Sequence, residues 1–285
     1  MAFYRGKVLR IVALTPRMRR VTVGGEALRG YIHTGHFDEH CQVWFPRPGE
    51  TRVEIPAEAG GSRQPPLARI FTVRRCDPAA GEVDIDFFLH EGGIASPWVR
   101  NARPGDPFVL TDSHGHDVVP DDADWRFFVG DSTALPAIGL MLERLRPGVR
   151  ATVIGIVPDE SEQQALASPG DVDLHWVVAS TPAEIVTATL HAFEAFERPA
   201  GAGYFWVGGE ATAARSIRRA LRSAGVPSNR FSATGYWRAN SEEWDRRYDA
   251  IGDTLDERVA AARKAAKDRD SFLDELDRIY ADAGL

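Results

Sequence analysis

The sequence predicts three successive parts: an antiparallel β-barrel, a Rossmann-like doubly wound parallel sheet with helices, and a C-terminal helical extension. Three observations predict this. The first hundred residues hold short β-rich runs punctuated by Gly and Pro. From Trp125 onward, continuous apolar runs alternate with helical stretches, as in buried parallel strands joined by crossover helices. After Arg238 the chain turns polar, with apolar residues recurring at helical spacings.

In chain order, strands are expected at Lys7–Leu14, Arg19–Val23, Gln42–Phe45, Arg69–Arg75, Glu82–Leu89 and Phe108–Thr111. Glu82–Leu89 is the clearest, because Val83, Ile85, Phe87 and Leu89 alternate with Glu82, Asp84, Asp86 and Phe88. Glu58–Pro66, with Gly and Pro, is expected to be a mobile loop. A polar stretch with Pro120 and four Asp, His114–Asp124, marks the passage to the second part. Buried strands follow at Arg126–Val129, Ala151–Ile156, Leu174–Val178 and Tyr204–Val207, and helices at Leu135–Arg144, Ala183–Phe196 and Ala213–Ala224. Leu255, Val259, Ala262, Ala266, Leu273, Leu276 and Ile279 then form one apolar stripe. It predicts one or two amphipathic helices docked on the body; for a coiled-coil seam the stripe is short and Ala-rich. The expected parts are residues 1–118, 119–238 and 239–285.

Composition narrows the function. A chain of 285 residues suffices for two domains with real cores. Its net charge of −7 argues against a general nucleic-acid or anionic-membrane binder. No apolar run is long enough to span a bilayer and the N-terminus shows no secretory pattern, so a cytoplasmic protein without membrane insertion is expected. The two cysteines, Cys41 and Cys76, make no disulfide framework and by themselves cannot hold an iron–sulfur cluster. Redox chemistry would need a bound organic cofactor.

One strand reads as a ligand grip. In Arg69-Ile70-Phe71-Thr72-Val73-Arg74, an Arg, an aromatic and a Thr share one short run. The Arg suits a phosphate, the ring suits a flat heterocycle, and the hydroxyl suits a ring nitrogen. Downstream, His90-Glu91-Gly92-Gly93-Ile94-Ala95-Ser96-Pro97-Trp98 bares backbone amides toward an anion. Gly130-Asp131-Ser132-Thr133-Ala134-Leu135-Pro136-Ala137 starts a helix after a strand, the ligand-facing position of a doubly wound sheet, though without G-x-G-x-x-G. A plain helix cap is the alternative there. Gly208-Gly209-Glu210-Ala211 occupies a similar place. It precedes a helix carrying Arg215, Arg218 and Arg219, which either meet phosphates or form a solvated face. Gly235-Tyr236-Trp237-Arg238 supplies aromatics that cover a ligand or pack internally. His33, His36 and His40 with Asp38 and Glu39, and His114 with His116, fit no metal-ligand spacing; no metal site is assigned.

This ordered series, over roughly residues 5–238, resembles the siderophore-interacting protein family of FAD-dependent ferric-siderophore reductases. The resemblance implies a reductase passing electrons from NADPH or NADH through FAD to a ferric siderophore, with release of Fe(II) for cytoplasmic use. Ferredoxin is a further donor to consider. It implies that the flavin carries the chemistry, with no protein acid or base as catalyst and Thr72 near flavin N5. It also implies cofactor contacts from Arg69, Ile70, Phe71, Thr72, Val73, Phe87, Leu89, His90, Gly93, Ala95, Ser96 and Trp98. From the second part they come from Asp131, Thr133, Ala134, Gly209, Glu210, Tyr236 and Trp237. The family carries Tyr where this chain has Phe71, Pro where it has Ile94 and Glu where it has Ser132. An anionic chelate calls for a basic lining, for which Arg47, Arg52, Arg63, Arg74 and Arg238 are the candidates. Two alternatives stand beside this reading: a flavin reductase of the same fold with another acceptor, and a non-catalytic siderophore or flavin binder.

Overall fold

The computed structural model describes residues 2–47, 49–55, 67–115, 119–239, 241–267 and 269–283. The expected loop Glu58–Pro66, Arg63 within it, and His116 lie outside the described residues. The chain divides into two compact units, Met1–Tyr236 and Trp237–Leu285.

The first unit opens with a seven-stranded sheet. Its strands are β1 (Phe3–Ala13), β2 (Met18–Gly24), β3 (His40–Phe45), β4 (Leu67–Thr72), β5 (Arg75–Asp77), β6 (Glu82–Phe88) and β7 (Pro107–Thr111). The order is β4-β3-β7-β1-β2-β6-β5, and the pairings are antiparallel. The two outermost strands, β4 and β5, are consecutive in the chain, with only Val73 and Arg74 between them. Laid flat, seven strands at about 4.8 Å spacing would hold these edges nearly 30 Å apart. The three steps from Thr72 to Arg75 reach only about 11 Å, so the sheet must curl round until its edges meet. Backbone bonds mark the corner: Val73 N–H donates to Glu39 O and Arg74 N–H to Asp84 O, each at 2.9 Å.

The expected single strand Arg69–Arg75 is therefore two strands on opposite edges. A residue pattern reports strand-like backbone but not the change of partner.

Inside the curl, Val21, Val23, Val43, Val83, Ile85, Phe87 and Leu110 are buried. The other face of β6 is also buried. Asp86 receives two 2.7 Å bonds from Arg20, and Asp84 accepts from Thr22 Oγ1 at 2.6 Å and Arg75 Nε at 2.7 Å. Buried carboxylates persist only with such partners. A short helix, α1 (Ala95–Asn101), separates β6 from β7.

The second sheet comprises β8 (Trp125–Asp131), β9 (Arg150–Val157), β10 (Asp171–Val178), β11 (Gly203–Glu210) and β12 (Phe231–Trp237), in the order β10-β9-β8-β11-β12. β10, β9, β8 and β11 run parallel. Three helices cover it: α2 (Leu135–Glu143), α3 (Pro182–Ala195) and α4 (Ala211–Ser223). Alternate residues of β8 face opposite ways. Phe128 packs with Leu135, Ile138 and Met141 of α2, whereas Phe127 and Val129 share a cluster with Ile217 and Leu221 of α4. Helices on both faces make this a doubly wound sheet. Strand order reverses at β8, so the crevice between the carboxyl ends of β8 and β11 is its switch point.

Two differences from expectation stand out. Leu174–Val178 looked like a buried strand, but β10 lies at the sheet edge, with Val178 53% exposed. No strand was expected at Phe231–Trp237, only the aromatic motif Gly235–Arg238 that overlaps its end; it is strand β12, with Phe231 and Ala233 in the core.

The two sheets are bolted together. Arg74 in the barrel corner donates to Glu143 of α2 at 2.8 Å, its guanidinium lying over Gly139, where a Cβ would come within 3.4 Å. Thr15 donates to the buried carboxylate of Glu162. Arg144 donates to the Gly35 and His36 carbonyls at 2.9 and 2.8 Å.

The second unit holds α5 (Ser241–Ala265) and α6 (Arg269–Asp282). Leu255, Ala262 and Ile279 form its core, with Val259, Tyr248 and Phe272 packed alongside. Arg258 pairs with Asp282 at 3.0 Å and Arg263 lies over Phe272, so the helices run antiparallel. Of the expected stripe, Leu255, Val259, Ala262 and Ile279 pack in this cluster between the two helices.

Candidate flavin-binding site

Strand β4 and the loop before α1 meet over one aromatic cluster. Phe71 lies 4.5 Å from Phe87 and 6.2 Å from Phe45, ring centre to ring centre. Trp98 of α1 packs on the same two rings, at 6.3 and 5.6 Å. Phe71 and Trp98 are each half-buried, so both keep some open surface. Phe87 is in the core at 1% exposure, and the side chains of Leu89 and Val73 are buried as well. These three support the exposed groups and present no side-chain surface of their own.

The donors around this cluster are uncommitted. Arg69 is exposed and donates only to the neighbouring Ala68 carbonyl, with no carboxylate partner among the described residues. Ile70 beside it is 65% exposed. The Thr72 hydroxyl forms no hydrogen bond among the described residues, although the residue is buried. Gly92 and Gly93 take left-handed φ values of 77° and 69°. At Gly93 an added Cβ would come within 3.4 Å of the His90 ring. Glycine therefore fits the turn for both backbone and space. The amides of Gly93, Ile94 and Ala95 donate to no acceptor among the described residues. Ser96 is turned inward: its buried Oγ accepts from His90 N–H at 3.1 Å and so closes the turn. His90 itself is exposed, with Nδ1 on the Glu91 carbonyl at 2.8 Å.

A guanidinium, free amides and an open aromatic face are the donor set that a diphosphate joined to a flat ring requires. The residues present fit FAD.

The switch-point residues also come together. Gly130 pairs with Gly208, and a Cβ on Gly209, at φ 134°, would lie 2.4 Å from Asp131 Oδ2. Asp131 accepts from the amide and hydroxyl of Thr133, at 2.9 and 2.6 Å, which caps the turn into α2. Glu210 caps α4, accepting from Thr212 N–H at 2.6 Å and Ala213 N–H at 3.2 Å. Both acids are buried, and Ala134 is wholly buried. The Ser132 hydroxyl, also buried, has no partner among the described residues, and the only sign of it in the sequence was the family's Glu at that position. Tyr236 is 37% exposed and stands edge-on to Trp206 at 6.1 Å. Arg218 points inward and donates to the Ala233 carbonyl, which separates it from the exposed Arg219.

Of the basic residues considered for an anionic chelate, Arg74 and Arg47 stand beside carboxylates. Arg74 is held by Glu143 and by Asp86, the latter at 3.8 Å, and its charge is already balanced. Arg47 lies 3.8 Å from Glu54. Arg52 is exposed, and Arg238 belongs to the second unit.

Barrel, switch-point crevice and donor set together define a flavoprotein of the ferredoxin-reductase-like fold. The ferredoxin-NADP+ reductase of Plasmodium falciparum shares that fold at a TM-score of 0.58 and 13% identity, covering 82% of this chain and 96% of the reductase. Two family models match: the siderophore-interacting FAD-binding domain over residues 7–117 and the siderophore-interacting protein model over 123–240. The chain belongs to the siderophore-interacting protein family. It is 32% identical over 241 residues to an NADPH-dependent ferric-chelate reductase of Escherichia coli, covering 81% of this chain and 91% of the relative. A siderophore utilization protein from T. fusca superposes at a TM-score of 0.75 with 31% identity, covering 84% and 94% of the two chains. The siderophore-interacting protein SipS of Aeromonas hydrophila gives 0.71 and 30%, covering 83% and 98%.

Proposed function

We propose that the protein is an FAD-dependent reductase that passes electrons from NADPH or NADH to Fe(III) held by a siderophore, releasing Fe(II) for use in the cytoplasm. One observation carries the reading: the uncommitted donors Arg69, Thr72 and the Gly93–Ala95 amides gather round one aromatic cluster. The Escherichia coli relative, spanned over 91% of its length, is a ferric-chelate reductase. FAD, when bound, turns a two-electron donor into single electrons that Fe(III) accepts. Arg69 and the loop amides hold its diphosphate, Phe71 supports the ring, and Thr72 offers a hydroxyl to it. Thr133 and Gly209 would line the crevice that takes the nicotinamide, and Tyr236 would cover the flavin. In this reading residues 1–118 hold FAD, 119–238 receive the donor, and 239–285 stand outside the chemistry.

The test is an anaerobic titration of the purified yellow protein with NADPH and then NADH, followed by a ferric chelate with an Fe(II) trap. Donor oxidation that yields trapped Fe(II) in proportion is expected. Turnover with free flavins or quinones and none with chelates would overturn the acceptor. Recovery of FMN from the heat-released cofactor would overturn the diphosphate assignment.

A further inference from the structure

Arg126 is the second residue of β8, at the opposite end of the strand from Asp131 and roughly 16 Å from it at about 3.3 Å per residue. The residue is 5% exposed, yet among the described residues it pairs with no carboxylate: Asp121, on the same wall, is paired with Arg146. Its guanidinium makes one bond, from Nη1 to the Ala123 carbonyl at 3.2 Å, out of five N–H donors. Burial, with Arg146 nearby, holds its pKa below the ordinary arginine value, and Asp121 opposes that only in part.

A cavity of about 190 Å³ lies against it, between the barrel and the α/β half. Phe37 comes from the barrel side, and Phe128, Met141 and Val149 from the other. The two other cations on the wall are engaged. Arg146 pairs with Asp121 at 3.2 Å, and Arg144 holds the Gly35 and His36 carbonyls, with Glu39 3.8 Å away.

A lone buried cation costs several kcal/mol unless something balances it. A cavity of this size falls below the ~300–1,000 Å³ of sites that take drug-sized ligands or cofactors. We infer that the cavity binds a small organic monoanion, its carboxylate on Arg126 and its apolar body against Phe37, Phe128 and Met141. One cation without a carboxylate partner among the described residues calls for a monoanion, and the apolar side chains beside Arg126 favour an organic body over a hydrated ion. The site is separate from the switch-point crevice. A ligand there touches both the barrel loop at Phe37 and helix α2.

Benzoate is the probe, with benzamide as its neutral analogue and inorganic phosphate as its apolar-free analogue. Calorimetric titration and melting of the holoprotein should show one saturable benzoate site, with benzamide and phosphate far weaker. Arg126→Met should weaken benzoate about tenfold or more, the loss of a charged hydrogen bond. Should that variant fail to fold, Val149→Phe, which fills the cavity from a half-buried wall position, should abolish binding with flavin content unchanged. Four results would overturn the inference: no saturable benzoate binding; phosphate binding as tightly as benzoate; benzoate binding unaffected in Val149→Phe; or displacement of benzoate by NADPH.

Discussion

Asp84 shows how one side chain ties β6 to its neighbours. Burial alone would raise its pKa, but the bonds from Arg75 and Thr22 outweigh it and hold the carboxyl below the ordinary aspartate value of 3.8. A carboxylate so depressed stabilises the fold above that value, and its contribution is lost as pH falls through the lower folded value. Stability should therefore drop steeply in acid below about pH 4. Asp84→Asn should cost about 1.5–3 kcal/mol at neutral pH and flatten that acid limb. Denaturant midpoints from pH 7 to pH 2 check this, and an unchanged acid limb in the variant would assign it to other groups. Arg69 is the opposite kind of residue, exposed and without a carboxylate partner among the described residues. Arg69→Ala should leave the fold intact and weaken FAD by about 1.5–3 kcal/mol, roughly tenfold to a hundredfold. Equal flavin affinity in mutant and wild type would place Arg69 outside the site. In the sequence Arg69 stood out as a phosphate grip, whereas Asp84 was one polar position on an alternating strand; its partners across the sheet, Thr22 and Arg75, were not legible there.

At the scale of elements, the parallel strands were legible because β8, β9 and β11 are buried on both faces and read as unbroken apolar runs. β10 reads the same way and is an edge, since an apolar run reports composition and not sheet order. β12 escaped because its Ser, Thr and Gly dilute the pattern while Phe231 and Ala233 carry the packing. The turn after β8 was read as ligand-facing or capping and the turn after β11 as ligand-facing; Asp131 bonds the Thr133 amide in the turn before α2, and Glu210 bonds the amides that open α4. Glu210→Ala would leave those α4 amides without acceptors in a buried setting. We expect a loss of about 1–3 kcal/mol, measured by urea unfolding. A change below a few tenths of a kcal/mol would show that another group takes over the cap.

Over the whole molecule, the three-part plan could be read from changes in texture along the chain, because each part has its own hydrophobic period. A barrel was expected for the first sheet, but not the place of its corner, the two residues that join strands at opposite edges. Antiparallel pairing of α5 and α6 was not legible either: a single stripe fits docking on a body as well as packing within a hairpin. The hairpin has its own small core. Truncation after Arg238 should therefore leave the flavin bound in equal stoichiometry. Absorbance of the purified truncated protein decides it; a folded but colourless product would make α5 and α6 part of the cofactor site.

The bolts between barrel and α/β half set limits on recombination. Thr15 and Glu162 are 147 residues apart, Arg144 and Gly35 109, and Arg74 and Glu143 69, so one crossover in the connecting stretch separates all three pairs. A chimera that draws its barrel from a relative inherits one side of each. Glu162 would then sit buried without its hydroxyl donor, and Arg74's replacement would have to fit over Gly139. Exchanged halves are viable only when these partners travel together, so the domain boundary, though open in sequence, is closed to free shuffling.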